Sequence, residues 1–212
     1  MYKEREKKKA FQVICVTDRK SCKGDFLQQV EAIAAAGVAA ILYRDKELSA
    51  DQYNKEAEKI KAICQRHHVS FIRHGDIPRN LDQSVHFPER VLEEIAIASK
   101  LQHPVVLPKV FGVSVHSVES AMAAERLGAT YITAGHIFNT SCKPGLKPRG
   151  EAFLRQMAAA VDIPVYGIGG ITPENIAKIK QWGGAGACIM SSFMETSNPL
   201  QLMNEISRSI AD

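Results

Sequence analysis

The sequence predicts an α/β fold, a single (β/α)8 barrel. Three observations predict it: short β-branched runs alternate with longer stretches of helical period, the strand-like runs number eight, and polar residues close most of them. At 212 residues the chain suits one domain, and barrels of this kind start near roughly 200 residues. An open doubly wound sheet gives a similar alternation. The count of eight, and the absence of Gly-x-Gly-x-x-Gly after the first strand or of a Walker-type loop anywhere, favour the barrel.

Taken in order, a strand is expected at 11–16, then a helix at 25–36 stopped by Gly37, the glycine that lets a chain turn back toward a sheet. A strand at 38–43 precedes a helix at 49–67 with Ser49 as its N-cap. Strands at 69–73 and 84–87 follow, with a short or missing helix between them, and then a helix at 89–100. The fifth strand at 109–114 leads to Ser117, a second serine cap, and a helix at 117–127 ended by Gly128. AAAGVAAILYR and AERLGATYITAG are one helix, glycine and strand phrase used twice. The sixth strand at 130–135 opens into a long loop, then a helix at 150–161 and a strand at 163–167. Pro173 after Thr172 suits the first position of a helix at 172–182. A strand at 185–190 and a helix at 198–210 complete the barrel.

Apolar residues make up 45% and charged residues 24%, enough apolar material for a packed core. Much of the net charge of +4 lies in a basic extension at 1–10, so the barrel domain at 11–212 is close to neutral. No aromatic-interleaved basic patch follows the extension, so nucleic acid is not an expected partner. The apolar run 13–16 is far shorter than the roughly 7–15 residues of a signal core, and no stretch approaches membrane-spanning length. The expectation is a cytoplasmic protein with no membrane partner. Five cysteines without zinc spacing read as reduced thiols, with Cys15 and Cys188 buried and only Cys142 in a candidate active loop.

In a parallel barrel the reactive groups stand at the C-terminal strand ends. There the chain places Thr17, Arg44, Lys46, His74, His86, Ser114, His116, His136, Gly169, Gly170, Ser191 and Ser192. The glycine pair and the serine pair close the last two strands, where barrels commonly grip phosphate through open backbone N–H groups. The phrase 131–150 ends a strand at His136 and opens into a loop with Asn139, Thr140, Cys142, Lys143, Lys147 and Arg149. An imidazole there suits a group that takes and returns a proton. Arg44 and Lys46 suit a carboxylate or phosphate, the alternative being ion pairs with Asp45 or Glu47. His116 reads equally as a helix-start residue bonded to a neighbour. Cys142 beside Lys143 has the surroundings of an activated thiolate but no assigned base.

Through VICVTD, ILYRDK, GVSVHS, GATYITAGHIFNTSCK, VYGIGGIT and CIMSS, in that order, the chain resembles the thiamine-phosphate synthase superfamily after residue 10. The resemblance implies a TIM barrel that handles thiazole phosphates. Synthases of that superfamily hold magnesium on an aspartate in Asn-Asp after the third strand and another in Gly-Gln-x-Asp after the fourth. Here His74-Gly75 and Pro88-Glu89-Arg90-Val91 stand instead, with Asp76 one position away. Where synthases have Gly-Pro-Ile-Phe, this chain has Gly135-His136-Ile137-Phe138, which resembles the TenI-like thiazole tautomerases. That branch implies an isomerase with His136 as proton shuttle. Its substrate, a 2-carboxy-thiazolylidene ethyl phosphate, is held by Arg44, Lys46, His116, Asn139, Thr140, Lys143, Gly169, Gly170, Ser191 and Ser192, with no metal and no cofactor. The synthase itself is one alternative expectation and a non-catalytic thiazole-phosphate carrier or regulator another. A homodimer is compatible with either.

Overall fold

The structure is a computed structural model that describes residues 10–77, 82–103 and 105–211, so the basic extension at 1–9 lies outside the described residues. Eight parallel strands close in chain order, with the first also paired to the last. They are β1 (Gln12–Val16), β2 (Ala40–Tyr43), β3 (Ser70–His74), β4 (Val85–Phe87), β5 (Phe111–Val115), β6 (Tyr131–Gly135), β7 (Val165–Ile168) and β8 (Gly186–Ile189). The helices are α1 (Phe26–Ala35), α2 (Ala50–Arg66), α3 (Arg90–Lys100), α4 (Val118–Arg126), α5 (Gly150–Ala160), α6 (Ile176–Gln181), α7 (Ser191–Glu195) and α8 (Pro199–Ala211). Among the described residues no helix joins β3 to β4. No helix among them is long and apolar enough to cross a membrane.

Local chemistry sets most of these boundaries. Ser49 and Ser117 each accept a backbone N–H three residues on and complete capping boxes with Gln52 and Ser120. Gly37 and Gly128 adopt φ of +86° and +87°, the left-handed stop that ends α1 and α4. One expectation is corrected. The helix after β7 does not begin at Pro173: the chain first makes a turn in which Asn175 accepts from the Thr172 N–H at 2.9 Å and donates to the Gly170 carbonyl at 2.9 Å. Helical bonding begins only at Ile176. The short α7, placed directly after β8, is an element that the sequence pattern did not reveal.

Because side chains alternate along a strand, each strand feeds two cores. One parity fills the barrel with Ile14, Val16, Leu42, Ile72, Tyr131, Tyr166 and Cys188. The other packs Cys15, Ile41, Phe87, Val113 and Ile132 outward against Ile33, Ile60, Leu154 and Ile179 of the helices. Tyr131 fits the interior only because its register partner is Gly112, where a Cβ would lie 2.1 Å from the tyrosine ring. Phe87 is fully buried and packs on Phe111 at 5.4 Å between ring centroids. Phe87→Ala is expected to cost about 3–5 kcal/mol of stability, read from urea denaturation, and a loss under about 1 kcal/mol contradicts this core assignment.

Candidate functional site

The inward parity continues past the strand ends and builds a cavity of about 420 Å³ at the C-terminal mouth of the barrel. On β2, Ala40 and Leu42 fill the interior, and the same side of the chain then carries Arg44 and Lys46, which both line the cavity. The intervening residues face away: Asp45 accepts from Arg19 at 2.8 Å and Glu47 pairs with Lys20 at 2.9 Å. The expected alternative, ion pairs of Arg44 or Lys46 with these two carboxylates, is therefore not found. The Arg44 backbone is clamped by the fully buried Thr17 of the first strand end, whose hydroxyl accepts from Arg44 N at 2.9 Å and donates to Arg44 O at 3.1 Å.

A hydrogen-bonded floor of neutral groups lies below the cations. His86 Nδ1 meets the Tyr131 hydroxyl at 3.1 Å and Nε2 meets Ser114 Oγ at 2.9 Å, with Thr133 Oγ1 at 3.3 Å. Burial, reinforced by His74, pushes the His86 pKa down to about 3. Burial first, and then Arg44 and Lys46, push His74 down to about 4. Both imidazoles are uncharged at neutral pH, so the positive charge at this end rests on Arg44 and Lys46. The thiols follow the same rule: burial drives Cys188 up to about 12 and Cys15 higher, whereas the exposed Cys142 lines the cavity.

The turn after β7 packs directly on the loop after β6. Gly169 and Gly170 have φ of +98° and +65°, and side chains there would lie 2.5 Å from His136 Cβ and 2.1 Å from the Asn139 carbonyl oxygen. Ile137 N–H donates to Ile168 O at 2.9 Å and Phe138 N–H to Gly169 O at 3.0 Å, which extends the β6–β7 ladder into the loops. His136, 7% exposed, is thereby held against the cavity wall. Its Nε2 donates to the Leu146 carbonyl at 3.3 Å, and its buried Nδ1 has no hydrogen-bond partner. The loop beyond is tied down by Arg149, whose backbone donates to His136 O at 3.0 Å and whose guanidinium donates to His116 O at 2.6 Å.

Of the sequence-derived candidates, Arg44, Lys46, His116, His136, Thr140, Lys143, Gly169, Gly170 and Ser191 line the cavity. Asn139 and Ser192 do not: Asn139 meets the glycine turn through its backbone, and Ser192 lies in the first turn of α7. Sequence reasoning missed Glu89, which lines the cavity and accepts from the His116 N–H at 3.1 Å. It also missed Tyr131 and Thr133, whose signal was the same period of two that continues Gly112 and Ser114 across the register. The donor set does not fit a magnesium ion. Asp76 is paired with Arg90, Glu89 is the one carboxylate on the cavity wall among the described residues, and no group of three metal-ligating side chains occurs among them.

A closed parallel barrel whose mouth holds cations at one place and a glycine turn with a helix start at another has the layout that barrels commonly use for phosphorylated small molecules. The model of the thiamine monophosphate synthase family matches residues 13–193, and the chain belongs to that family. Thiamine-phosphate synthases of Fusobacterium nucleatum subsp. nucleatum and Clostridium acetobutylicum are 32% and 33% identical to it, over 86% and 87% of this chain and 88% and 87% of theirs. The solved thiamine phosphate pyrophosphorylase from Pyrococcus furiosus superposes with a TM-score of 0.75 over 95% of this chain and 96% of its own, at 22% identity, a likeness of fold. These relatives correct the isomerase expectation: the chain is an enzyme of thiamine biosynthesis whose relatives carry the synthase name, and the tautomerase reading drawn from His136 is set aside.

Gly170→Ala forces a left-handed residue against the Asn139 carbonyl and is expected to cost about 1–3 kcal/mol, measured by chemical denaturation; an unchanged midpoint contradicts the close packing. The unfolded chain takes up protons near the ordinary imidazole value of 6.5 that folded His74 and His86 refuse, so their contribution is complete above pH 6.5 and is lost as pH falls toward 4 and then 3. Denaturation midpoints across this range should fall on acidification, and His74→Asn should flatten the slope between pH 6.5 and 4. A variant with the wild-type slope contradicts the assignment.

Proposed function

We propose that the chain is a thiamine-phosphate synthase, which couples hydroxymethylpyrimidine pyrophosphate to a thiazole phosphate and releases pyrophosphate. The observation that supports this reading is that one cavity carries two separate sets of groups suited to an anion. Arg44 and Lys46 follow β2, whereas Gly169 and Gly170 follow β7 and Ser191 follows β8, three and two strand positions away around the closed rim. A ligand with one anionic group needs one such region. A coupling reaction between two phosphorylated substrates needs two.

The thiazole phosphate is assigned to the glycine turn and the start of α7, where backbone N–H groups approach an anion closely. The pyrophosphate end is assigned to Arg44 and Lys46, whose own neighbouring carboxylates are engaged elsewhere. In the coupling, the lone pair of the thiazole ring nitrogen forms a bond to the methylene carbon of the pyrimidine. The bond from that carbon to the pyrophosphate oxygen breaks, and its electron pair leaves with the pyrophosphate. The ring nitrogen becomes quaternary and no proton leaves a carbon, so His136 needs no shuttling role. Its unpartnered Nδ1 is assigned to positioning a substrate, with Thr140 and Lys143 closing over the site. Holding both reactants in one 420 Å³ cavity supplies the orientation on which such a bimolecular step depends.

The test is to incubate the purified protein with both substrates, with and without magnesium, and to measure thiamine phosphate and released pyrophosphate in equal amounts. Failure to form either product under both conditions, with thiazole phosphate still bound, would leave a carrier and overturn this reading.

A further inference from the structure

We propose that the pyrophosphate end of the site binds its anion directly through Arg44 and Lys46, without a bridging metal ion. The inference rests on the synthase reading for the identity of the anion.

Its basis is the charge arrangement around the β2 and β3 strand ends. A metal bridge requires carboxylates that both face the anion and are free to coordinate. Asp76 is held by Arg90, which also binds Glu94 at 2.6 Å. Asp45 has a nearly inaccessible side chain bound by Arg19, on the outward side of the strand end. Glu89, the carboxylate on the cavity wall, receives the His116 N–H and has the His116 imidazole at 3.9 Å. Magnesium between a protein and phosphates is ordinarily held by one or two free carboxylates, and the one on this wall already accepts from His116.

Positive charge stands in its place. Arg44 and Lys46 line the cavity with no carboxylate partner recorded for either among the described residues. Arg44 is fixed at its backbone by both hydrogen bonds of Thr17, so the root of its side chain has a defined position at the rim. A guanidinium presents paired donors that match two phosphate oxygens, and an adjacent ammonium adds a compact second charge. Two cations against a diphosphate offset most of its charge, a task that elsewhere falls to a metal ion.

Titration calorimetry with inorganic pyrophosphate tests the inference on the full chain. Binding is expected in EDTA, with no requirement for added magnesium, since no free protein carboxylate recruits the ion. Arg44→Ala is expected to weaken binding about tenfold or more, with Arg44→Lys between the two because it keeps the charge and loses the paired donors. Lys46→Ala gives an independent reading if Arg44→Ala fails to fold. Binding only in the presence of magnesium, or binding unchanged in both alanine variants, overturns the proposal. Metal-free, Arg44-dependent binding without any coupling activity overturns the synthase reading alone, whereas magnesium-dependent coupling together with magnesium-dependent pyrophosphate binding overturns this inference alone.

Discussion

The site depends on a backbone-to-backbone contact between two loops. The turn after β7 lies so close to the loop after β6 that two successive residues, Gly169 and Gly170, have no room for a Cβ. This contact holds His136 against the wall, extends the ladder through Ile137 and Phe138, and fixes where the long loop to α5 begins. Asn175 secures the other side by bonding the Gly170 carbonyl, at the cost of delaying the start of α6. Two turns that line the cavity are thus also each other's packing partners. Glycine here answers a steric demand of the protein before it answers any demand of a ligand.

Charge is sorted by the same alternation that sorts the cores. Arg44 and Lys46 take the inward parity of β2, while Asp45 and Glu47 take the outward one and find Arg19 and Lys20 in the preceding βα connection. Beneath them, His74 is kept neutral by burial and by those cations, and His86 by burial and by His74. The mouth therefore carries net positive charge above a floor of neutral hydrogen-bonding groups, which strengthens attraction for a multiply charged anion.

Much of this was legible in the sequence. Eight β-branched runs predicted eight strands, the two repeated glycine phrases predicted the stops of α1 and α4, and Ser49 and Ser117 predicted capping boxes. The polar strand ends also predicted most of the cavity wall. What escaped depends on contacts that no local pattern encodes. Thr172-Pro173 looks like a helix start, but the Asn175 side chain recruits those residues into a turn. Ser192 sits beside Ser191 in sequence, yet the helical turn of α7 carries it away from the cavity wall. His136 was the most misleading residue. Its place at the cavity wall is as expected, but a histidine's position says nothing of which reaction surrounds it, and the relatives name another one.

The Thr17 clamp on Arg44 joins β1 to β2, and β1 is also the strand that closes the barrel against β8. β1 thus holds β8 on one side and the Arg44 backbone on the other. Ligand affinity at Arg44 is therefore a gauge of the β1–β2 join: a change at Thr17, which does not itself line the cavity, would register there as a misplaced cation.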